Sequence, residues 1–181
     1  MGSEKVKIGI VGLGRIGMEI ARKLGVFSCD IVYHTRNARA DVPFRHYADP
    51  VAMAADCDIL IVVVPGGEAT RHLIDRAVIE ALGPEGTLIS LGRGSTVDET
   101  ELVRALADGR LGAAGLDVFE NEPDVPQALF SMDNVVLLPH VGSATVETRG
   151  AMAGLVVDNL VSFHESGKAI TPVPECSHLQ K

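Results

Sequence analysis

The stretch Gly9-Ile10-Val11-Gly12-Leu13-Gly14-Arg15-Ile16-Gly17 constrains this chain more than any other, because it sets three glycines at G-x-G-x-x-G spacing between two opposite periodicities. A β-branched run, Val6 to Val11, enters it, and the helical spacing of Ile16, Ile20, Ala21 and Leu24 leaves it. Strand, tight turn and helix follow at once. In such a unit Gly12 permits the turn, Gly14 lets backbone approach a pyrophosphate, and Gly17 lets the helix pack on the strand. The unpaired N–H groups at the helix start hold the anion. A second strand, Ile31 to His34, closes the unit at the distance a βαβ crossover requires.

The end of that second strand bears on the choice of nucleotide. A carboxylate there accepts hydrogen bonds from the adenosine ribose hydroxyls. This chain reads Thr35-Arg36-Asn37 instead. No acid is present to repel a 2′-phosphate, and the planar guanidinium of Arg36 suits one, so NADP(H) is expected over NAD(H), with NAD(H) still possible. The competing reading makes Arg36 an ordinary solvated arginine.

The remaining chain alternates strand and helix. The first helix is expected over Arg15–Leu24, ending near Gly25 in a left-handed cap. A short strand is expected at His46–Ala48, and Asp49 caps a helical turn begun by Pro50. Asp58 to Val64 is continuous aliphatic sequence, the mark of a parallel strand buried on both faces. Pro65-Gly66-Gly67 ends it. A helix is expected over Thr70–Leu82, a strand over Thr87–Leu91, and a helix from Asp98 to about Ala107, with Glu101 completing a capping box. Strands follow at Ala113–Leu116 and Asn134–Leu138, on either side of an irregular stretch from Asp117 to Met132. A last helix, Val146–Glu165, is apolar on several sides. These elements predict an α/β fold: a doubly wound, mostly parallel Rossmann sheet of six or seven strands. Residues 4–170 form one dinucleotide-binding domain and 171–181 an extended tail.

Three loops at the carboxyl edge of that sheet offer side chains for chemistry: Arg93, Glu122 and His140. Hydride transfer to a carbonyl needs a proton donor for the oxygen that becomes negative. A histidine ordinarily titrates at about pH 6.5, so His140 can serve. A neighbouring carboxylate stabilises an imidazolium, the role open to Glu122. Arg93 can hold a substrate carboxylate and polarise the adjoining carbonyl. Against this stand a surface His140 and a solvated acidic loop over Glu120–Asp124. Arg93 lies between two glycines, which clear space around it.

Composition excludes several other classes. The 181 residues suffice for one sizeable core and fall short of two full domains. The net charge of −8 argues against a general nucleic-acid surface. Cys29, Cys57 and Cys176 have no metal-like spacing and are odd in number, as expected of reduced thiols in a cytoplasm, with neither zinc nor a disulfide framework. No apolar run reaches the roughly 20 residues of a membrane span, and the N-terminus lacks the apolar core of a signal peptide. Met1-Gly2-Ser3 reads as a cloning remnant, which would make the chain a piece of something longer.

Four motifs in order resemble the nucleotide-binding domain of the D-isomer-specific 2-hydroxyacid dehydrogenases, in the glyoxylate/hydroxypyruvate and hydroxyphenylpyruvate reductase-like branch. They are Val11-Gly12-Leu13-Gly14-Arg15-Ile16-Gly17, Leu91-Gly92-Arg93-Gly94-Ser95-Thr96-Val97-Asp98-Glu99, Gly115-Leu116-Asp117-Val118-Phe119-Glu120-Asn121-Glu122-Pro123, and Leu138-Pro139-His140-Val141-Gly142-Ser143-Ala144-Thr145. The resemblance implies that Arg93 binds the 2-keto acid, Glu122 tunes the histidine and His140 is the acid/base. It implies cofactor contacts from Gly12, Gly14, Arg15, Ile16, Gly17, Thr35, Arg36, Asn37, Pro65, Leu91, Arg93, Asp117, His140, Gly142 and Ser143, with Asp117 facing the nicotinamide carboxamide. Thr35-Arg36-Asn37 is similar to the NADP(H)-preferring members.

Pro65-Gly66-Gly67 departs from the more usual Pro-Leu-Thr and implies a changed loop shape. Complete family members begin with roughly one hundred further residues, a separate substrate domain. Those residues are missing here, so this chain is expected to hold cofactor and turn over poorly alone. The resemblance also implies a homodimer acting on a small 2-keto or 2-hydroxy acid, with no nucleic-acid or membrane partner. The alternative is an NADP(H)-sensing module that reports to a protein partner without turnover.

Overall fold

The computed structural model describes residues 5–173, 175 and 176. The proposed cloning remnant lies outside them, as does much of the tail from 171 onward. Within that tail Cys176 N–H donates to the Val173 carbonyl at 2.9 Å. The chain divides into two compact units, Met1–Pro139 and His140–Lys181.

The first unit is built on a sheet of seven strands among the described residues. They are β1 (Lys7–Val11), β2 (Asp30–His34), β3 (Arg45–Tyr47), β4 (Ile59–Val62), β5 (Thr87–Ser90), β6 (Ala113–Leu116) and β7 (Val135–Leu137). Every pair is parallel, in the order β3-β2-β1-β4-β5-β6-β7. The chain runs outward from β1 through β2 to β3, then returns to place β4 on the other side of β1. That reversal opens a crevice at the carboxyl ends of β1 and β4, where doubly wound sheets bind ligands.

Continuous aliphatic composition explains the central strands. Ile10, Val11, Leu60, Val62 and Leu88 are essentially inaccessible although they point to opposite faces. One buried cluster packs Ile10, Leu13, Ile31 and Tyr33 against Ala21 of α1 (Arg15–Gly25). A larger one joins Val62 and Leu88 to Met53 of α2 (Pro50–Ala54), Ile79 of α3 (Arg76–Leu82) and Leu102 of α4 (Glu99–Ala107).

Three details differ from expectation. First, α1 runs through Gly25 and is capped by Val26 in right-handed conformation. The left-handed residue is Ser28, at φ 61°, one turn later. Second, no helix covers Thr70–Leu82. A 3-10 turn at Glu68–Thr70 gives way to extended chain, and α3 starts at Arg76. The cause is competition for backbone bonds. His72 and Ile74 N–H donate to the Ser95 and Thr96 carbonyls, and Ile74 accepts from Asp98 N–H, so this segment pairs with the 93–98 loop. The Asp75 carboxylate, accepting from Val78 N–H at 3.1 Å, caps what remains. Third, Asp98 caps α4 through Glu101 N–H at 3.0 Å, but the capping box is not reciprocal. Asp98 N–H is taken by Ile74, and Glu101 accepts from Arg110 at 2.8 Å. Replacing Asp75 by alanine should lower stability by about 1 kcal/mol, read from the urea midpoint, because the cap is a single charged acceptor at a half-buried helix start.

In the second unit Thr145 caps α5 (Val146–Ser166) by accepting from Thr148 N–H, and Gly167, at φ 72°, ends it. No residue of α5 is buried, and Leu155, Val156, Leu160 and Phe163 are exposed, in line with a helix apolar on several sides. No helix among the described residues is long and apolar enough to cross a membrane.

Candidate nucleotide site

The carboxyl edge of the sheet is finished by a row of bonds from residues just past each strand. Gly12 N–H donates to His34, Val63 to Val11, Leu91 to Val62, Asp117 to Ser90 and Leu138 to Leu116, all at 2.8–3.0 Å. The loops carrying the expected site residues of this unit therefore leave the sheet along one edge.

At the crevice between β1 and β4 these loops enclose a cleft of about 630 Å³, a size suited to a small-molecule ligand. Its walls are Gly12-Leu13-Gly14, His34 to Asn37, Val64-Pro65, and Ala69, Thr70 and Leu73. The expected Gly12, Gly14, Thr35, Arg36, Asn37 and Pro65 thus meet in one place. Leu13, His34, Val64, Ala69, Thr70 and Leu73 are lining residues outside the expected contacts. Reading Thr70 and Leu73 as helix concealed them.

The glycines have separable reasons. Gly12 has φ 97°, and a Cβ there would come within 2.8 Å of Val64 Cγ1, so the turn rests on the end of β4. At Gly17 a Cβ would lie 2.1 Å from the Gly12 carbonyl oxygen, closing helix on turn. Gly14 differs: a Cβ there would meet nothing within 4 Å. No described protein atom crowds that point, so the backbone there is open to close approach by a ligand. No side chain caps α1 and no acid stands in its first turn, so the amides of Arg15 and Ile16 and the positive end of the helix suit an anion. The residues present fit a dinucleotide.

The turn that follows β2 is pinned. Thr35 Oγ1 donates to the Asn37 carbonyl at 2.7 Å, and His46 Nε2 lies 2.9 Å from the Thr35 carbonyl. Arg36 lines the cleft with its side chain exposed, and no carboxylate lies among His34 to Asn37. Arg39, in the loop between β2 and β3, donates from Nη1 to the Leu13 carbonyl at 2.6 Å.

A second group of loops surrounds Arg93. Its stem lies over Gly66, where a Cβ would approach Arg93 Cγ and Cβ to 3.1 and 3.2 Å. The glycine in Pro65-Gly66-Gly67 makes room for that arginine. Thr70 Oγ1 folds this loop by donating to the Pro65 carbonyl at 2.7 Å. Arg93 Nη1 donates to the Gly92 carbonyl, and Gly94 presses on the backbone of Phe119 and Glu120. That contact sets the loop of Arg93 against the loop of Glu122. The Glu122 carboxylate accepts from Phe119 N–H at 3.0 Å, and Asp117 is buried at the end of β6.

Glu120, one choice for a merely solvated acid, is bound from three sides. Arg71 Nη2 and His72 Nε2 reach its carboxylate at 2.8 and 3.0 Å, and its N–H donates to Glu99 at 3.1 Å. Burial pushes the Glu99 carboxyl above the ordinary range, against the opposite effect of that N–H. No sequence signal linked Arg71 and His72 to Glu120, 48 residues or more away.

His140 opens the second unit, exposed, with φ 53°. Gly142 and Ser143 follow in a turn closed by Ala144 N–H on the Val141 carbonyl at 2.9 Å. Among the described residues no three His, Cys, Asp or Glu side chains are grouped to hold a metal ion.

Comparison with known proteins agrees with this fold. Residues 2–142 match the family described as D-isomer specific 2-hydroxyacid dehydrogenase, NAD binding domain. Glyoxylate/hydroxypyruvate reductase A of Arabidopsis thaliana is 57% identical over 167 residues, and hydroxyphenylpyruvate reductase of Plectranthus scutellarioides is 55% identical over 168 residues. Each alignment covers 92% of this chain and 53% of the relative, so the chain spans about half the length of the curated relatives it matches. The NADPH-dependent glyoxylate/hydroxypyruvate reductase of Sinorhizobium meliloti, solved with NADP and malonate, superposes with a TM-score of 0.92 at 52% identity. That superposition covers 97% of this chain and 55% of the other. The chain belongs to the D-isomer-specific 2-hydroxyacid dehydrogenase family, as its dinucleotide-binding Rossmann domain.

Proposed function

We propose that this chain is the cofactor half of an NADP(H)-dependent reductase of small 2-keto acids of the glyoxylate or hydroxypyruvate kind. The observation that supports the reading best is the cleft itself, where an uncapped helix start and an open Gly14 lie beside Arg36 with no carboxylate at the end of β2. The amides at Gly14, Arg15 and Ile16 would hold the pyrophosphate and Arg36 the 2′-phosphate, with Gly12, Gly17, Thr35, Asn37 and Pro65 shaping the walls. Leu91, Asp117, Gly142 and Ser143 complete the cofactor contacts.

When bound, the reduced nicotinamide supplies a hydride. Arg93 binds the substrate carboxylate and stabilises charge growing on the keto oxygen. His140 gives that oxygen its proton, and Glu122 favours the charged imidazole that does so. Residues 4–170 serve as the cofactor domain of a cytoplasmic homodimer, to which the exposed apolar side chains of α5 would contribute.

The test follows NADPH absorbance with glyoxylate and hydroxypyruvate, using this chain alone and using a longer form that carries an N-terminal substrate domain. The longer form should consume NADPH with at least one acid, and His140→Gln should lower kcat at least a hundredfold. A longer form inert toward every 2-keto acid would overturn the reading.

A further inference from the structure

We infer that Arg39 is a positioning residue for the dinucleotide's pyrophosphate, acting through the Leu13–Gly14 peptide rather than by touching the nucleotide's 2′-phosphate. The inference rests on the proposed nucleotide site and assigns a residue outside its anticipated contacts.

The guanidinium of Arg39 is held on one edge by Asp41, which accepts from Nε at 3.0 Å and from Nη2 at 2.5 Å. That fork fixes the plane, so the remaining Nη1 edge is aimed, and it donates to the Leu13 carbonyl at 2.6 Å. The backbone beneath is fixed as well. Arg39 N–H donates to the hydroxyl of Tyr33 at 2.8 Å, and Tyr33 is buried in the α1 cluster.

The Leu13 carbonyl belongs to the same planar peptide as the Gly14 N–H, and in a trans peptide the two point in opposite directions. Holding the oxygen on one side therefore directs the N–H to the other. Gly14 is the position where the structure leaves open space on the cleft. A charged donor on the carbonyl also polarises the peptide and strengthens its N–H as a donor. Arg39 thus ties the segment that carries Arg36 to the turn on which the pyrophosphate rests. Leu13 cannot easily yield, because its side chain is 2% exposed.

The pyrophosphate is common to NADPH and NADH, whereas the 2′-phosphate is not. Loss of Arg39 should weaken both nucleotides by the same factor, about tenfold for one charge-assisted bond. It should leave adenosine 2′,5′-bisphosphate, which lacks the pyrophosphate, within about twofold. Direct contact with the 2′-phosphate would give the opposite pattern.

The experiment titrates wild type, Arg39→Met and Asp41→Asn with NADPH, NADH and adenosine 2′,5′-bisphosphate, with a thermal melt of each variant. Equal losses for the two dinucleotides, about tenfold in Arg39→Met and about threefold in Asp41→Asn, support the inference. Loss confined to NADPH and the bisphosphate overturns it, as do unchanged affinities. Should Arg39→Met fail to fold, Asp41→Asn decides alone, and unchanged affinities there overturn the inference. A wild-type chain that binds neither dinucleotide overturns the proposed site and this inference together, whereas wild-type binding with unaffected variants removes the inference alone.

Discussion

Replacing Gly94 by alanine should destabilise the first unit by roughly 3 kcal/mol or more, the upper end of what overpacking costs. The added methyl carbon would lie 1.9 Å from the Phe119 carbonyl carbon, 2.0 Å from its oxygen and 2.3 Å from the Glu120 nitrogen. All three are backbone atoms, so no side chain can rotate to relieve the overlap. The loop could retreat only by giving up its own bonds, among them His72 N–H on Ser95 and Ile74 N–H on Thr96. The opposing loop is anchored by Glu120 N–H on Glu99 and by Arg71 and His72 on the Glu120 carboxylate. The cost therefore falls on the contact that sets Arg93 beside the Glu122 loop. Urea unfolding measures it, with Gly150→Ala as the control. Gly150 lies within α5, where a Cβ meets nothing within 4 Å, and alanine there should be neutral or mildly stabilising. A Gly94→Ala midpoint equal to that of wild type would show that the two loops are not in contact.

Arg36→Ala should weaken NADPH about a hundredfold and change NADH by less than about twofold. A guanidinium on a phosphate makes two charge-assisted bonds, each contributing about 1.5 kcal/mol or somewhat more where both partners are partly solvated. Thr35 Oγ1 is committed to the Asn37 carbonyl, and the Arg39 guanidinium to Asp41 and Leu13. NADH offers no 2′-phosphate to lose. Fluorescence titration with both nucleotides measures the ratio, and equal weakening of the two would assign Arg36 to the turn rather than to nucleotide choice.

These two arginines show where the sequence was legible. The fold followed from local signals: glycine spacing, aliphatic runs and the carboxylates Asp49 and Asp98 standing just before their helices. Arg36 was readable as a residue of the cleft wall because it follows a strand at a fixed distance from the glycine turn, and its part in nucleotide choice is the proposal above. Arg39 was not, since its meaning depends on a carbonyl 26 residues earlier and on Asp41 fixing its plane. Leu73 and Ile74 have helical spacing with Ala77 and Val78, and nothing in that pattern reveals that Ser95 and Thr96 take their backbone bonds. Local periodicity yields to pairing with a distant segment when that segment offers its own unpaired carbonyls. Gly66 became intelligible only with Arg93 packed over it. In each case the missing information is a contact between loops, which no periodicity encodes.

The decisive measurement is a crystal structure of this chain soaked with NADP⁺. The 2′-phosphate should lie within hydrogen-bond distance of the Arg36 guanidinium, and the pyrophosphate on the amides that begin α1, inside the cleft walled by Gly12, Gly14 and Pro65. Density for the nucleotide elsewhere on the surface, or an adenosine ribose turned away from Arg36, would contradict both the proposed site and the preference for NADP(H).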